Sequence, residues 1–444
     1  MTPVLYISVE LKARDLDPRL LVAAEALGQG LHVVFGQQWA LSKNIYSVPP
    51  GVFLFKTVNE IQATQMVDAK DAGHIVTATD EEVLACGCDA CFESGMGPTA
   101  AKHLDLFFAQ SQRHADIVSN QHAGVAAHVR VTGNPRIDLL SAWGRSSYAD
   151  AAAAIRDKVG PYVLFNTNFG WINSIWNARE NASEIAIRTG HLNPDDPASV
   201  AAYESELTWE KDNMEAMEAV LSWMPQGLPD VTAVIRPHPA EDADYWTSKY
   251  GGLQNTLVVT GTAHIPWTMA ADVLVHTTCS TGLEAALLGT PSISVTPHPQ
   301  AAQHGYILSN EVNPSVERPE DACAALTQFF GEHTGPITEP GTYAEKLTSM
   351  FPDLGGGEAA RKIVNEILTA TGGANGEHDY AWSIRPGESW VTVERRAEWI
   401  EKFSIDSSEL AQRLAAMGNL AGLNRAINLQ KIDDSLFHIF PSAS

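Results

Sequence analysis

Three stretches of this 444-residue chain hold residue types that do chemistry when a fold gathers them. The first, "HTTCSTGLEAALLG" from His276, runs an apolar segment into Thr278, Ser280, Thr281 and Gly282 and sets Glu284 a turn further on. Hydroxyls and N–H groups at a helix start bind phosphate oxygens through dipole and hydrogen bond together, without net positive charge. A carboxylate in Glu284's place repels phosphate but can accept from a ribose diol. The second, "VIRPHPAED", offers Arg236 and His238, with Pro237 and Pro239 fixing the backbone around the imidazole and Glu241 and Asp242 suiting a helix start. The third, "TATDEEV", places Asp80, Glu81 and Glu82 together at the end of an apolar run. Adjacent acids repel one another, so three in a row at a strand's carboxyl end are costly to cluster and are candidate catalytic carboxylates.

Each stretch also has a plain structural reading. Ser280 or Thr281 can be an N-cap with Glu284 as its capping-box partner, and the three acids can be a helix start favoured by the macrodipole. Glu204, Glu206 and Glu210 in "YESELTWEKD" form a rival acid set, and we favour Asp80, Glu81 and Glu82 over them. In "NTNFGWIN", Asn166 and Asn168 can hydrogen-bond sugar and Trp171 can stack on a ring, or the segment is a turn with a half-buried Trp. Glu10 and Arg14, with Asp15, follow the first apolar run, where Asp15 or Asp17 can instead cap a helix. "CGCDAC" carries Cys86, Cys88 and Cys91, but zinc sites take four ligands in paired spacing and only His103 lies near. We therefore assign no metal and read the cysteines as small buried residues. His304 is read as a lone structural histidine.

Positioning these residues requires alternating strands and helices. "VLYISVE", "LHVVFG", "GVFLFK", "HIVTAT", "DLFFAQS" and "HVRVTG" read as strands with helical stretches between them, starting with "DPRLLVAAEALGQG". "PYVLFNTN", "VTAVIRP", "TLVVTG", "ADVLVHTT" and "SISVTP" repeat the pattern. Such alternation implies parallel sheets with helices on both faces, and ligands bind beyond the carboxyl ends of their strands. The expected fold is α/β: two Rossmann-like domains facing a cleft, residues 1–148 and 149–345, with a helical insertion at about 183–223. Breaks at "GEHTGPITEPGT" and "TGGANGEHD" set off a C-terminal helical tail, 346–444.

Composition narrows the partners. The 29 basic and 53 acidic residues give a formal charge of -24, which argues against nucleic acid and against anionic lipid surfaces. An anionic ligand must then be held by local dipoles and a few placed cations. The opening residues are no signal peptide, no apolar stretch approaches the roughly 20 residues needed to span a bilayer, and five cysteines are no disulfide framework. A cytoplasmic protein is expected.

The motifs also resemble a known group. "RPHP" followed by "STGLEAALLGTPSI" is similar to the two nucleotide motifs of GT-B glycosyltransferases that use CMP-activated ulosonic acids. "VTGNPRIDLL" resembles the last strand–loop–helix of their N-terminal domain and that of hydrolysing sugar-nucleotide epimerases. "VELKARDLDPRLLVAAEALGQGLHVVFG" and "AGHIVTATDEE" resemble the bacterial surface carbohydrate biosynthesis family, related to the retaining β-Kdo transferases of capsule and lipopolysaccharide assembly. Family members often carry Gly after the acidic cluster, where Val83 stands here.

The resemblance implies a GT-B enzyme moving a Kdo-like ulosonic acid from CMP to a surface glycan acceptor. It needs no cofactor or metal, because helix N-termini take the role that a divalent ion has elsewhere. It implies that Arg236, His238, Pro239, Thr278, Ser280, Thr281, Gly282 and Glu284 line the nucleotide site. Glu10 and Arg14 would meet the acceptor, with transient inner-membrane association. Two rival readings stay open: a hydrolysing UDP-sugar epimerase, and a silent nucleotide-binding relative within an assembly complex.

Overall fold

The computed structural model describes residues 4–175, 182–188, 190–298, 307–331, 342–351, 354, 356–372, 400 and 402–442. His304 and most of the two Gly/Pro-rich breaks lie outside them. The chain forms two compact units, one of residues 1–84, 89–147 and 348–444, the other of 85–88 and 148–347.

The first unit is built on strands β1 (Val4–Val9), β2 (His32–Gln37), β3 (Val52–Phe55), β4 (Ile75–Ala78), β5 (Leu106–Ala109) and β6 (Val129–Val131). They pair in parallel in the order β2-β1-β3-β4-β5-β6. All six residues of β1 are buried, as expected of a parallel strand covered on both faces. Tyr6 stacks on Phe53 of the neighbouring strand with ring centroids 4.5 Å apart. The helix after β1 starts at Lys12 rather than Asp17, because the Asp15 carboxylate accepts the Leu11 N–H at 3.0 Å and closes a turn ahead of Pro18.

The C-terminal segment belongs to this unit and is not purely helical. Helices Ala359–Ala370 and Ser407–Ala421 pack on Lys12–Gly28, and strands β13 (Ile427–Asp433) and β14 (Leu436–Pro441) extend the sheet as an antiparallel hairpin on β2. Gly36 permits that pairing: a Cβ there would lie 2.0 Å from the Ser435 carbonyl oxygen.

The second unit carries β7 (Tyr162–Asn166), β8 (Thr232–Arg236), β9 (Thr256–Val258), β10 (Val273–His276), β11 (Ser292–Val295) and β12 (Ser315–Val316). All pair in parallel, in the order β12-β11-β10-β7-β8-β9. Reading from β9 gives the doubly wound order 3-2-1-4-5-6, whose direction reverses between β7 and β10. The region expected as an insertion holds two helices, Ala182–Arg188 and the 31-residue Pro197–Gly227. The second half of the long helix is a crossover helix, with Met214, Met217, Val220, Leu221 and Met224 packed on Val163, Phe165 and Ile235 of the sheet. Among the described residues, no helix is long and apolar enough to cross a membrane.

Candidate functional site

Side-chain alternation sets the character of the second sheet's carboxyl edge. Tyr162, Leu164, Val234 and Leu274 share one apolar core layer. The last residue of each of these strands, two positions after its layer member, therefore faces the same side: Asn166, Arg236 and His276. They also stand in register, His276 beside Asn166 and Asn166 beside Arg236. An apolar layer thus ends in a polar row at the point where strand order reverses.

The row is buried, and its members differ in how they are satisfied. Arg236 donates to Thr262 Oγ1 at 2.9 Å and to the Thr262 carbonyl at 2.7 Å, and lies over the Trp267 ring. Its role is to hold the loop after β9, and burial brings its guanidinium down to about 10. His276 accepts the Cys279 N–H on Nδ1 at 3.3 Å, while burial lowers it to about 3 and keeps it neutral. The proton of that neutral ring is therefore on Nε2. Gly282 must be glycine here, since a Cβ would lie 2.2 Å from this nitrogen. Asn166 is 4% exposed, yet among the described residues neither of its amide atoms has a hydrogen-bond partner. Leaving a buried polar group unpaired costs about 1–3 kcal/mol, so the fold keeps this amide against its own stability.

Around the row, β7 and β10 are tied by side chains. Asn168 donates from Nδ2 to the Thr278 carbonyl and accepts from Thr277 Oγ1, both at 3.2 Å. Thr278 sits in left-handed backbone space with φ 57°, strained for a β-branched residue. Asn310 donates to its hydroxyl at 3.0 Å. The helix Ser280–Leu288 then starts with no side-chain cap, Cys279 being the N-cap. Among the described residues no acceptor meets the N–H groups of Ser280 and Thr281, the arrangement that binds anions at helix starts. The capping-box alternative is therefore not the structure found.

Glu284 also differs from expectation. Its carboxylate is fully buried with His264 Nε2 2.5 Å away, whereas the His264 side chain keeps 12% exposure. Any ribose contact would involve the imidazole edge rather than the carboxylate. His238 is half-buried on the loop after β8, two strands from the loop that bears half-buried Ser280. It accepts the Ala240 N–H on Nδ1 at 3.2 Å, which puts the neutral ring's proton on Nε2. Pro239 is half-buried beside it.

Behind His238, the two acids read as a helix start divide their work. Asp242 caps Ala243–Tyr250, whereas Glu241 turns inward. It accepts from Thr167 Oγ1 at 2.6 Å, the His238 N–H at 3.1 Å, Trp246 Nε1 at 2.9 Å and Asn173 Nδ2 at 3.3 Å. Thr167 and Asn173 come from a distant part of the chain, so the local motif does not show that Glu241 turns inward, and His264 likewise meets Glu284 from another helix start.

In the first unit, the ends of β1, β3 and β4 carry a charge lattice. Lys56 is buried and contacts Glu10 and Glu82, each at 2.6 Å, and Lys402 reaches Glu10 at 3.3 Å. Arg14 pairs with Asp15 at 2.5 Å and with Glu82 at 3.4 Å. The three consecutive acids separate by environment. Glu81 is buried near Arg19 at 3.9 Å, with Asn134 Nδ2 at 3.4 Å. Asp80 is buried and accepts from Thr57 at 3.0 Å, and desolvation together with Glu82 pushes it up to about 7. Glu82 alone reaches solvent, with 45% side-chain exposure. Against the desolvation that opposes it, Arg14 and Lys56 hold Glu82 down at about 2.

Cys86 and Cys91 are disulfide-bonded rather than simply buried thiols, and Cys88, Cys279 and Cys323 are in the thiol form. Among the described residues no group of three or more His, Cys, Asp or Glu could hold a metal ion.

No family model and no curated protein matches the chain. Solved structures do. A variant of the wall teichoic acid polymerase TagF is 11% identical, covering 83% of this chain and 88% of that one, with a TM-score of 0.52. The S. aureus MnaA–UDP co-structure is 13% identical over 84% and 97%, with a TM-score of 0.49. A UDP-N-acetylglucosamine 2-epimerase is 15% identical over 85% and 98%, with a TM-score of 0.47. At such identities the likeness is one of fold, and the fold is GT-B, with two Rossmann-like units.

Proposed function

We propose that the protein is a glycosyltransferase whose second unit binds a nucleotide-activated sugar and that the donor is a CMP-activated ulosonic acid. The observation that carries the nucleotide reading is the buried Asn166 amide at the strand-order reversal, without a partner among the described residues, beside a helix start whose first two N–H groups meet no acceptor among them. In this reading the Ser280 and Thr281 amides and hydroxyls meet the donor's negative charge, and His238 donates from Nε2 to the phosphate. Asn166 offers one donor and one acceptor to the nucleoside, and Asn168 holds the two loops at their spacing. Amides and an imidazole suit a chain of net charge -24, because they attract phosphate without an exposed basic patch.

Transfer breaks the bond between the anomeric carbon and the phosphate oxygen and forms one from that carbon to an acceptor hydroxyl of a membrane-tethered glycan. The nucleotide leaves with the electron pair, and the hydroxyl proton passes to a carboxylate or to water. Of the three consecutive acids, Glu82 is suited to shield positive charge at the anomeric carbon, being ionised and open to solvent. Asp80, at about 7, matches proton transfer, but its burial fits a supporting role.

A melting series with CMP, CDP and UDP tests the reading. A nucleotide at a hundred times its Kd stabilises by about 2.7 kcal/mol, or roughly 2–4 °C per kcal/mol for a unit of about 200 residues. CMP is expected to give the largest shift, and His238→Ala to remove it. A preference for UDP would overturn the CMP assignment in favour of epimerase-like chemistry. No shift with any nucleotide would overturn the donor site.

A further inference from the structure

The loop that leaves β7 after Asn166 carries Asn168 and is fastened at three points. Asn168 ties its start to the Thr277–Thr278 backbone, and Asn173 ties its end to Glu241 at 3.3 Å. Between them, the N–H of Trp171 and that of Ile172 both point at one carboxyl group, Glu210 on the long helix Pro197–Gly227. We infer that Glu210 is a positioning residue of the donor site, a buried carboxyl that latches this loop while neutral and releases it on ionising. The inference rests on the donor-site reading above.

The geometry suits a neutral acid. Oε2 accepts from Ile172 at 2.7 Å and from Trp171 at 3.0 Å, whereas Oε1 has only the longer 3.3 Å approach of Trp171. A proton on Oε1 leaves both N–H bonds in place. Glu210 is 6% exposed, and among the described residues no cation pairs with it. The groups that face it are of one sign or neutral: Glu206 and Tyr203 on its own helix, and Glu241 from the loop after β8. His191, stacked on Trp171 at 4.8 Å, is occupied with Glu206 at 2.6 Å. Desolvation first, and then Glu241 and Glu206, raise Glu210 to about 7, against the two backbone N–H groups that lower it.

The direction of the effect follows by linkage. With the loop closed, Glu210 titrates near 7, and with the loop lifted and water admitted it returns toward the ordinary 4.5. Raised affinity for the proton in the closed form means that closure is strongest below the open-form value and weakens as pH rises through the closed-form one. The open fraction should climb by up to about tenfold per pH unit between roughly pH 5 and 7, then level off.

Hydrogen exchange of the Trp171 and Ile172 amides in the full-length protein, corrected for intrinsic rate, measures this directly. Wild type should show the climb, and Glu210→Gln, which keeps an acceptor oxygen but cannot ionise, should show a flat profile. A climb that persists in the variant, or none in wild type, overturns the latch. As a second measure, Glu206→Gln removes one of the repelling charges and should move the upper end of the climb to lower pH; an unmoved climb counts against the latch. Adding CMP separates the two claims. If the climb behaves as expected but CMP never slows loop exchange, the latch stands and the donor site falls. Equal CMP protection at pH 5 and 7 in both proteins would remove the positioning role.

Discussion

The two strand-order reversals of this molecule are opposites in chemistry. In the first sheet the order turns between β1 and β3, where Glu10 meets Lys56 at 2.6 Å within a lattice that also takes in Arg14, Asp15, Glu82 and Lys402. Three carboxylates and three cations there neutralise one another. In the second sheet the order turns between β7 and β10, and the residues there are Asn166, Asn168, Thr277 and Thr278, all uncharged. Charge in that region is set back: Glu241 and Glu284 are buried behind the loops, Glu241 hydrogen-bonded to the groups that shape them and Glu284 set against His264. Among the described residues, the charges of one edge pair off, and the other has hydrogen-bonding capacity left over. A strand-order reversal thus ends in paired charges in one unit and in a receptive edge in the other.

Breaking the closed edge should produce the largest effect. Lys56→Ala leaves Glu10 and Glu82 without their shared cation. Loss of one partner of a buried pair costs about 3–5 kcal/mol, and the lower end applies because Glu82 keeps access to water. Urea denaturation of wild type and variant measures it. A cost under about 1 kcal/mol, the range of surface pairs, would mean that the lattice is loose, and the contrast between the edges would collapse.

Overfilling the receptive edge comes next. Gly282→Ala would drive a methyl group against His276 Nε2, which is 2.2 Å from the ideal Cβ position. The first turn of the serine helix must shift, at about 1–3 kcal/mol, and the N–H groups of Ser280 and Thr281 shift with it. We expect a lowered Tm together with loss of the CMP-induced shift. Full retention of that shift would show that the helix start does not hold the ligand.

What the chain's sequence reveals about these edges depends on how local each feature is. The βα alternation is legible because apolar runs such as "VLYISV" and "VTAVI" report burial residue by residue. The hairpin of β13 and β14 is not, because "LFHIFP" is short and becomes a strand only by pairing with β2, some 400 positions away. The candidate site divides in the same way. Asn166, His238 and Ser280 lie where their motifs place them, at strand ends. Glu284 shows the limit: its spacing from Ser280 is visible, but its partner His264 comes from another helix start, and only that partner decides that the carboxylate turns inward. Glu241 and Asp242 are adjacent acids that the fold separates into a buried hub and a surface cap. Local propensity distinguishes neither.

The smallest effect in stability is the sharpest in meaning. Asn166→Leu replaces an amide without described partners by an apolar side chain of similar volume, below which Leu164 already belongs to the core layer. An amide kept only for packing would make this change neutral or costly. An amide held in reserve for a ligand makes it stabilising, by about 1 kcal/mol, because an unsatisfied polar group leaves the interior. The same change removes the donor and acceptor on which the nucleoside contact depends. The expected result is therefore a rise in Tm with a reduced CMP shift, the two moving in opposite directions as they do where function is held at stability's expense. A fall in Tm would mean that Asn166 has partners among packed groups, and the receptive edge would then be as closed as the charged one.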